Sequence, residues 1–424
     1  MTSKYLVSLL TIAAGLSLSA KAAMADVVVK WQAGDNSANI QKAIDSGDRK
    51  IIIPKAAKPW LVGNTIYAKQ PNQQIVFQPG VVMEAQPGAF QKVTSTMISV
   101  FADNVTLTGY NATIKMRKAD YQNPKLYKPS PFRHIISIRG ARNFVVEGFR
   151  LREAGGDGLF VSHGQRESNT AVPARKYSSG IIRDVISEKN HRLGLSIMSA
   201  QDLLVENSIF RGTSGTKPSS GVDLEPDYDW QKLSNIRFKN NKYVNNGRNG
   251  IQIGLGRYRG KNVSDISISF DGCQSTGNKE DGISINAHQV GYTDGPKGFI
   301  DVKNCKVLGS GENGIFIKSD HKNPAQTFKI NFDNITLRNA GIKSTNFYPI
   351  SLQNSLTPGV VCNIDFGDRF TVFDTKSRPA LYVNNPAIKQ GLTNVHGTIK
   401  VQNNNKKEPV LGNKLTNVTL KFTN

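Results

Sequence analysis

The chain has 424 residues, with 54 Lys and Arg against 32 Asp and Glu, a formal charge of +22 at pH 7. Three cysteines, Cys273, Cys305 and Cys362, are too few and too odd in number for a disulfide framework, and none has metal-site spacing. Beyond the first 25 residues, no stretch is long and apolar enough to cross a bilayer.

The N-terminus reads as a leader. Lys4 precedes an apolar run over 6–20, followed by Ala23-Met24-Ala25, a small-x-small cleavage site. This is the pattern of a secretory signal peptide. The expectation is an exported protein, secreted or periplasmic, folded as one domain over 26–424. Loss of Lys4 and Lys21 with the leader lowers the charge from +22 to +20. An exported chain this basic has little occasion to meet nucleic acid. Its expected partner is an acidic polysaccharide, bound by a monomer or small homo-oligomer without a membrane span.

Residues 35–47 predict a short amphipathic helix, capped by 35–37, with Ile40, Ala43 and Ile44 on its apolar face and Gly47 at its end. Strands are expected at 50–54, 65–67, 74–77, 81–83, 105–107 and 112–115. A solenoid needs its first edge covered, and the helix is placed to cover it.

From residue 158 a tag recurs: Gly158-Leu-Phe-Val, Gly194-Leu-Ser-Ile, Gly221-Val-Asp-Leu, Gly250-Ile-Gln-Ile, Gly282-Ile-Ser-Ile and Gly314-Ile-Phe-Ile. The glycines stand 36, 27, 29, 32 and 32 residues apart. That period marks stacked repeats. Second strands between the tags, and turns rich in Asn and Gly, predict an all-β parallel solenoid. Asp157, Asn249, Asp281 and Asn313 precede tag glycines and suit a tight bend with left-handed angles.

With the apolar tag residues inward, two columns face outward. The first reads Phe160, Ser196, Asp223, Gln252, Ser284, Phe316. The second reads Ser162, Met198, Glu225, Gly254, Asn286, Lys318. Small side chains leave room for a chain of sugar rings, and Phe160 is placed to stack on one. Acid appears only at Asp223 and Glu225, about 7 Å apart along one strand. Crowded carboxylates repel. A shared hard cation such as Ca²⁺, an Arg or Lys partner, or a proton held on one of them offsets that repulsion. The preceding bend holds Lys189, Asn190, His191 and Arg192, and the bend leading to Asp223 holds Lys217. Stacking brings these bends about 4.8 Å apart, beside the carboxylates. Leu193 breaks the Asn/Asp pattern at this layer. His163, Arg257, His288 and Lys318 are expected to rim the same face and bind substrate. The segment 117–133, rich in basic residues and tyrosine, is expected to form a wall.

The helix, the Ile51-Ile-Ile-Pro54 strand, the Asn-Val-Thr-Leu and Asn-Ile-Thr-Leu strands and the repeated tag resemble the right-handed parallel β-helix proteins of the pectate-lyase-like group, over roughly 35–400. The Asp223-Leu-Glu225 pair with Asn190 is similar to the acid-x-acid pair and Asn of calcium-dependent chondroitin and alginate lyases. The resemblance implies a Ca²⁺ held by Asn190, Asp223 and Glu225, with Lys189 or Lys217 and Arg192 or Arg257 as base and acid. The expected reaction is β-elimination on a uronate polymer, with Asp223, Glu225, Lys189, His191, Arg192 and Lys217 as the catalytic group. The alternatives are a glycoside hydrolase using Asp223 and Glu225 (or Asp227), a C5-epimerase and a non-catalytic polysaccharide-binding protein.

Overall fold

The structure, a computed structural model, describes residues 26–164, 173–287, 295–319, 321, 323–354, 359–384, 391–402, 407–412 and 414–424. The expected leader and His288 lie outside the described residues. No helix among those described is long and apolar enough to cross a membrane.

The expected helix forms at Ser37–Asp45, and Ser37, Ile40, Ala43 and Ile44 make its buried face. Its first turn is held from outside. Asp35 Oδ1 accepts the Ser37 N–H at 2.8 Å and the Gly63 N–H at 2.9 Å, so the carboxylate of 35 both caps the helix and ties it to the first layers.

Beyond the helix the chain winds as a parallel β-helix. The tag strands belong to an 11-stranded sheet running from Ile66–Ala68 to Leu381–Asn384. The remaining strands join a 23-stranded sheet, also paired in parallel, for example Leu233–Lys239 on Ile266–Asp271 and Ile266–Asp271 on Gly298–Lys303. The alternating residues Leu159, Leu195, Val222, Ile251, Ile283 and Ile315 stack layer on layer with no exposed surface to speak of. Burial of such continuous apolar columns is the main driving force for coiling. Phe238 and Phe270 extend the core as a face-to-face pair 4.4 Å apart.

The tag glycine is needed for space, since none of the six adopts a positive φ. A Cβ on Gly194 would stand 2.5 Å from the Gly221 carbonyl oxygen, and one on Gly221 would stand 2.7 Å from that of Gly250. Left-handed asparagines sit at other bends instead: Asn104, Asn143, Asn304 and Asn334 have φ of 54–59°. Their side chains form ladders, Asn143 Nδ2 to Asn104 Oδ1 at 3.0 Å and Asn334 Nδ2 to Asn304 Oδ1 at 2.8 Å.

The residues before the tag glycines therefore act differently from the expectation. They are not left-handed among the described residues; each instead caps the next layer. Asn249 Oδ1 accepts the Asp281 N–H, Asp281 Oδ1 accepts the Asn313 N–H and Asn313 Oδ1 accepts the Tyr348 N–H, each at 3.0 Å. The three cysteines are free and buried.

Candidate active site

Parallel pairing keeps the first outward column in register. Tyr67, Ser99, Ser137, Phe160, Ser196 and Asp223 lie side by side, followed by Gln252, Ser284, Phe316, Ser351 and Tyr382. Eleven strands at about 4.8 Å make a face about 48 Å long. Aromatic rings stand toward its ends, with small polar side chains and one carboxylate between them.

Over Asp223 the face opens into a cleft of about 580 Å³. Its cations are Arg139, Arg192, Lys217, Arg248 and Arg257; Glu225 and Asp227 are the carboxylates lining it, and Phe132, His134 and Phe160 add rings. A second hollow shares Arg139, Phe160, Met198 and Asp227 with it and reaches His163. A third, about 640 Å³, shares Arg248 and Gln252 and continues toward Tyr382. The three form one groove across the tag strands.

Asp223 lies beneath the cleft floor. It is wholly buried, and neither of its carboxylate oxygens has a hydrogen-bond donor. Burial pushes its carboxyl well above the usual range; the Glu225 charge pushes the same way and Arg192 opposes them. Burial and the neighbouring Glu225 charge thus favour the protonated form of Asp223, while Glu225, with a side chain 38% exposed, lines the cleft.

Arg192 links this pair to the layer before. Its Nη1 donates to Asp157 Oδ2 at 3.1 Å, its Nη2 stands 3.9 Å from Glu225 Oε2, and its guanidinium lies over the Phe132 ring at 5.8 Å. Asp157 Oδ1 also accepts the Leu193 N–H at 3.1 Å. Burial nonetheless pushes Asp157 up to about 6, against the pull of Arg192. His134 Nδ1 accepts the Asp157 N–H at 3.1 Å, so the ring is neutral with its proton on Nε2. Its 3.3 Å approach to Asp157 Oδ2 is therefore no ion pair. Burial, with the charges of Arg139 and Arg192, holds its pKa well below the ordinary value. The neutral ring stacks on Phe160 at 4.7 Å, and Arg139 covers the same phenyl at 5.1 Å.

The expected residues separate into two groups. Arg192, Lys217, Glu225, Arg257 and Phe160 meet at the cleft, over Asp223. Arg257 Nη1 binds Asp227 Oδ1 at 2.9 Å, and His163 packs on Trp230 where the groove continues. Lys189, Asn190 and His191 do not reach the carboxylates. Lys189 is exposed at a left-handed bend. Asn190 turns inward, its Oδ1 accepting the Ala154 N–H at 3.0 Å and its Nδ2 donating to Ser187 at 2.9 Å. His191 fits between Gln122 and Thr216, where burial and Lys118 lower its pKa. Lys318 pairs in register with Asn286 and Gln353, outside the cleft. The segment 117–133 gives Phe132 to the wall. Its Tyr121 and Tyr127 are buried around Arg133, whose side chain donates to the carbonyls of Phe90, Gln91 and Lys128.

These positions do not compose a calcium site. Ca²⁺ takes 6–8 oxygens, yet the Asn190 oxygen is engaged by the Ala154 N–H and the Arg192 guanidinium stands 3.9 Å from Glu225 Oε2. Among the described residues, no group of three or more His, Cys, Asp or Glu is arranged to hold a metal.

His134, Arg139 and Arg248 line the cleft without a sequence expectation, Asp157 is expected only as a bend residue and Gln252 only as an outward one. One sequence signal points to Arg139. His134–Arg139 repeats the inward Ile136 and Ile138 of a tag strand without its glycine, which places Arg139 beside Ser162 in the second column.

Residues 130–293 match the family described as "Right handed beta helix region". A Bacillus subtilis (strain 168) relative, the uncharacterized protein YclG, is 25% identical over 208 residues, 47% of this chain. The chain spans about a third of that relative's length, 35%. The A-module of a mannuronan C-5 epimerase from Azotobacter vinelandii superposes with a TM-score of 0.68 at 14% identity, covering 92% of this chain and 96% of its own. The catalytic unit of a GH87 alpha-1,3-glucanase from Streptomyces thermodiastaticus strain HF3-3 gives 0.54 at 14% identity, covering 98% and 69%. The Dettilon tailspike protein gives 0.59 at 11% identity, covering 92% and 65%. At these identities the likeness is one of fold.

Proposed function

We propose that this right-handed parallel β-helix protein is an exported enzyme that cleaves an acidic, uronate-containing polysaccharide lying along the tag-strand groove. The observation that carries the reading is the Asp223–Glu225 pair, a buried carboxyl beneath an exposed carboxylate, set among Arg139, Arg192, Lys217 and Arg257. Two of the structural neighbours, the mannuronan C-5 epimerase and the alpha-1,3-glucanase, are named for action on polysaccharides, which agrees with this use of the groove.

β-Elimination needs a neutralised uronate, a base for the proton at C5 and an acid for the leaving oxygen. Arg139 and Arg192 supply the neutralising charge at the cleft wall. Lys217 lines the cleft and, in its free-amine form, is the group that takes the C5 proton. The electron pair of that C–H bond forms the new double bond as the C4–O bond breaks. The proton that burial favours on Asp223 passes to the leaving oxygen by way of Glu225, the exposed member. Asp223 does not itself reach the substrate and acts through Glu225 as a positioning residue.

A second reading is hydrolysis, favoured by Asp227, a further carboxylate lining the cleft. There Glu225 protonates the same oxygen while Asp227 accepts a proton from the attacking water. Its ion pair with Arg257 competes with that task. Incubation with acidic polysaccharides decides between them. Elimination yields an unsaturated product that absorbs in the ultraviolet; hydrolysis yields reducing ends without it. Tight binding with no product from any acidic polymer overturns both.

A further inference from the structure

The groove changes character along its length. On one side of Gln252 its charged walls are Arg139, Arg192, Lys217 and Arg257, partly offset by Glu225 and Asp227. Beyond Gln252 the carboxylates are Glu280, bound to Arg248 at the border, Glu312, bound to Lys343 Nζ at 2.9 Å, and the buried Asp281, so the cations beside them are already engaged. The rest of that far hollow is mostly side-chain amides and hydroxyls with four rings, Phe316, Phe347, Tyr348 and Tyr382. Tyr348 and Tyr382 stack at 4.2 Å with an interplanar angle of 5°, and Phe316 stands in the outward column beside them. Flat rings and amides suit uncharged sugars, whose hydroxyls accept and donate freely and whose C–H faces pack on aromatic surfaces. A carboxylate-bearing sugar placed there meets cations already held by Glu280 and Glu312.

We infer that the groove reads a mixed polymer: an anionic sugar seated at the Arg139–Arg192 half and uncharged sugars in the Phe316–Tyr348–Tyr382 half. This rests on the acidic-polysaccharide reading and narrows it, excluding a uniform polyuronate as the preferred substrate. The Arg248–Glu280 and Lys343–Glu312 pairs act as the selective element against a continuously charged chain, because each must break before its cation can meet a uronate carboxylate.

The test is calorimetric binding to the Glu225→Gln protein, which is arrested in cleavage. The probes are three oligosaccharide sets of matched length: homouronates, alternating uronate–neutral hexose chains and neutral hexose chains. Expected is at least tenfold tighter binding of the alternating set than of homouronates, with homouronate affinity levelling off once the cationic half is filled. Adding Glu280→Gln and Glu312→Gln should raise the affinity for long homouronates at least fivefold and leave short ones unchanged. Tyr348→Ala should weaken the alternating set alone. Homouronate affinity that keeps rising with length in the Glu225→Gln protein overturns the inference while leaving the acidic-substrate reading intact. Failure of every uronate-containing set to bind, or preference for neutral chains, overturns that underlying reading instead.

Discussion

Arg192 and Asp157, from adjacent layers, form a buried ion pair at 3.1 Å, with side-chain exposures of 11% and 0%. The pair sits at the one pre-glycine position whose successor, Leu193, carries no polar side chain. Asp157 caps Leu193 as other members of the ladder cap theirs, and spends its second oxygen on the guanidinium. The interruption of the ladder thus turns a structural device into an anchor for a cation in the cleft.

Removing one partner leaves the other charged and buried. Arg192→Leu is expected to lower stability by about 3–5 kcal/mol and to abolish turnover. Adding Asp157→Asn removes the orphaned charge and should recover most of the stability with none of the activity. Chemical denaturation and product assays on both proteins check this; full stability in Arg192→Leu alone would show that the pair bears no load.

The carboxylate pair predicts a pH signature. Asp223→Asn removes the like charge and the buried proton, so the alkaline limb of kcat/KM should move to lower pH and the maximum fall by about 10²–10⁴. Glu225→Gln should lose activity at every pH, with an unchanged melting temperature. Equal pH profiles for wild type and Asp223→Asn would remove Asp223 from the proton inventory.

The parts of this arrangement differ in how visible they are in sequence. The two outward columns follow from strict alternation, and every pair from Phe160 to Phe316 stacks as the tag predicts. The bends do not follow from alternation. Asn190, His191 and Arg192 are consecutive, yet one turns inward, one lodges against Gln122 and Thr216, and one enters the cleft. Side-chain direction in a bend is set by which backbone donors in the neighbouring layer need an acceptor, and the local sequence does not state that. The tag glycine is a similar case. Its presence signals the layer, but its reason, a carbonyl of the next layer within 3 Å, appears only once the layers are stacked.

Asp281 gives a stability prediction in the far half of the groove. Burial pushes its carboxyl up to about 7 from 3.8, against hydrogen bonds from Asn313. For a raised acid the folded state binds the proton more tightly than the unfolded chain. The stabilisation is complete below pH 3.8 and is lost as pH rises through about 7. Between those limits each pH unit is worth about 1.4 kcal/mol. Asp281→Asn keeps the acceptor oxygen and removes the titration. Its melting temperature should therefore fall less than that of wild type between pH 5 and pH 8. Parallel melting curves across that range would show that Asp281 titrates normally.

The last prediction separates a structural asparagine from a metal ligand. The Asn190 amide satisfies the buried Ala154 N–H and the Ser187 hydroxyl. Asn190→Ala orphans the first of these and should cost about 1–3 kcal/mol. A calcium ligand predicts a different outcome, in which wild type loses melting temperature and turnover on chelation and Asn190→Ala is insensitive to added Ca²⁺. Arg192 stands against Glu225, and burial favours the protonated form of Asp223. Chelation should therefore leave wild-type turnover and melting temperature unchanged, and Asn190→Ala should melt lower with or without calcium. A calcium-dependent rise in wild-type melting temperature that Asn190→Ala lacks would return Asn190 to the site.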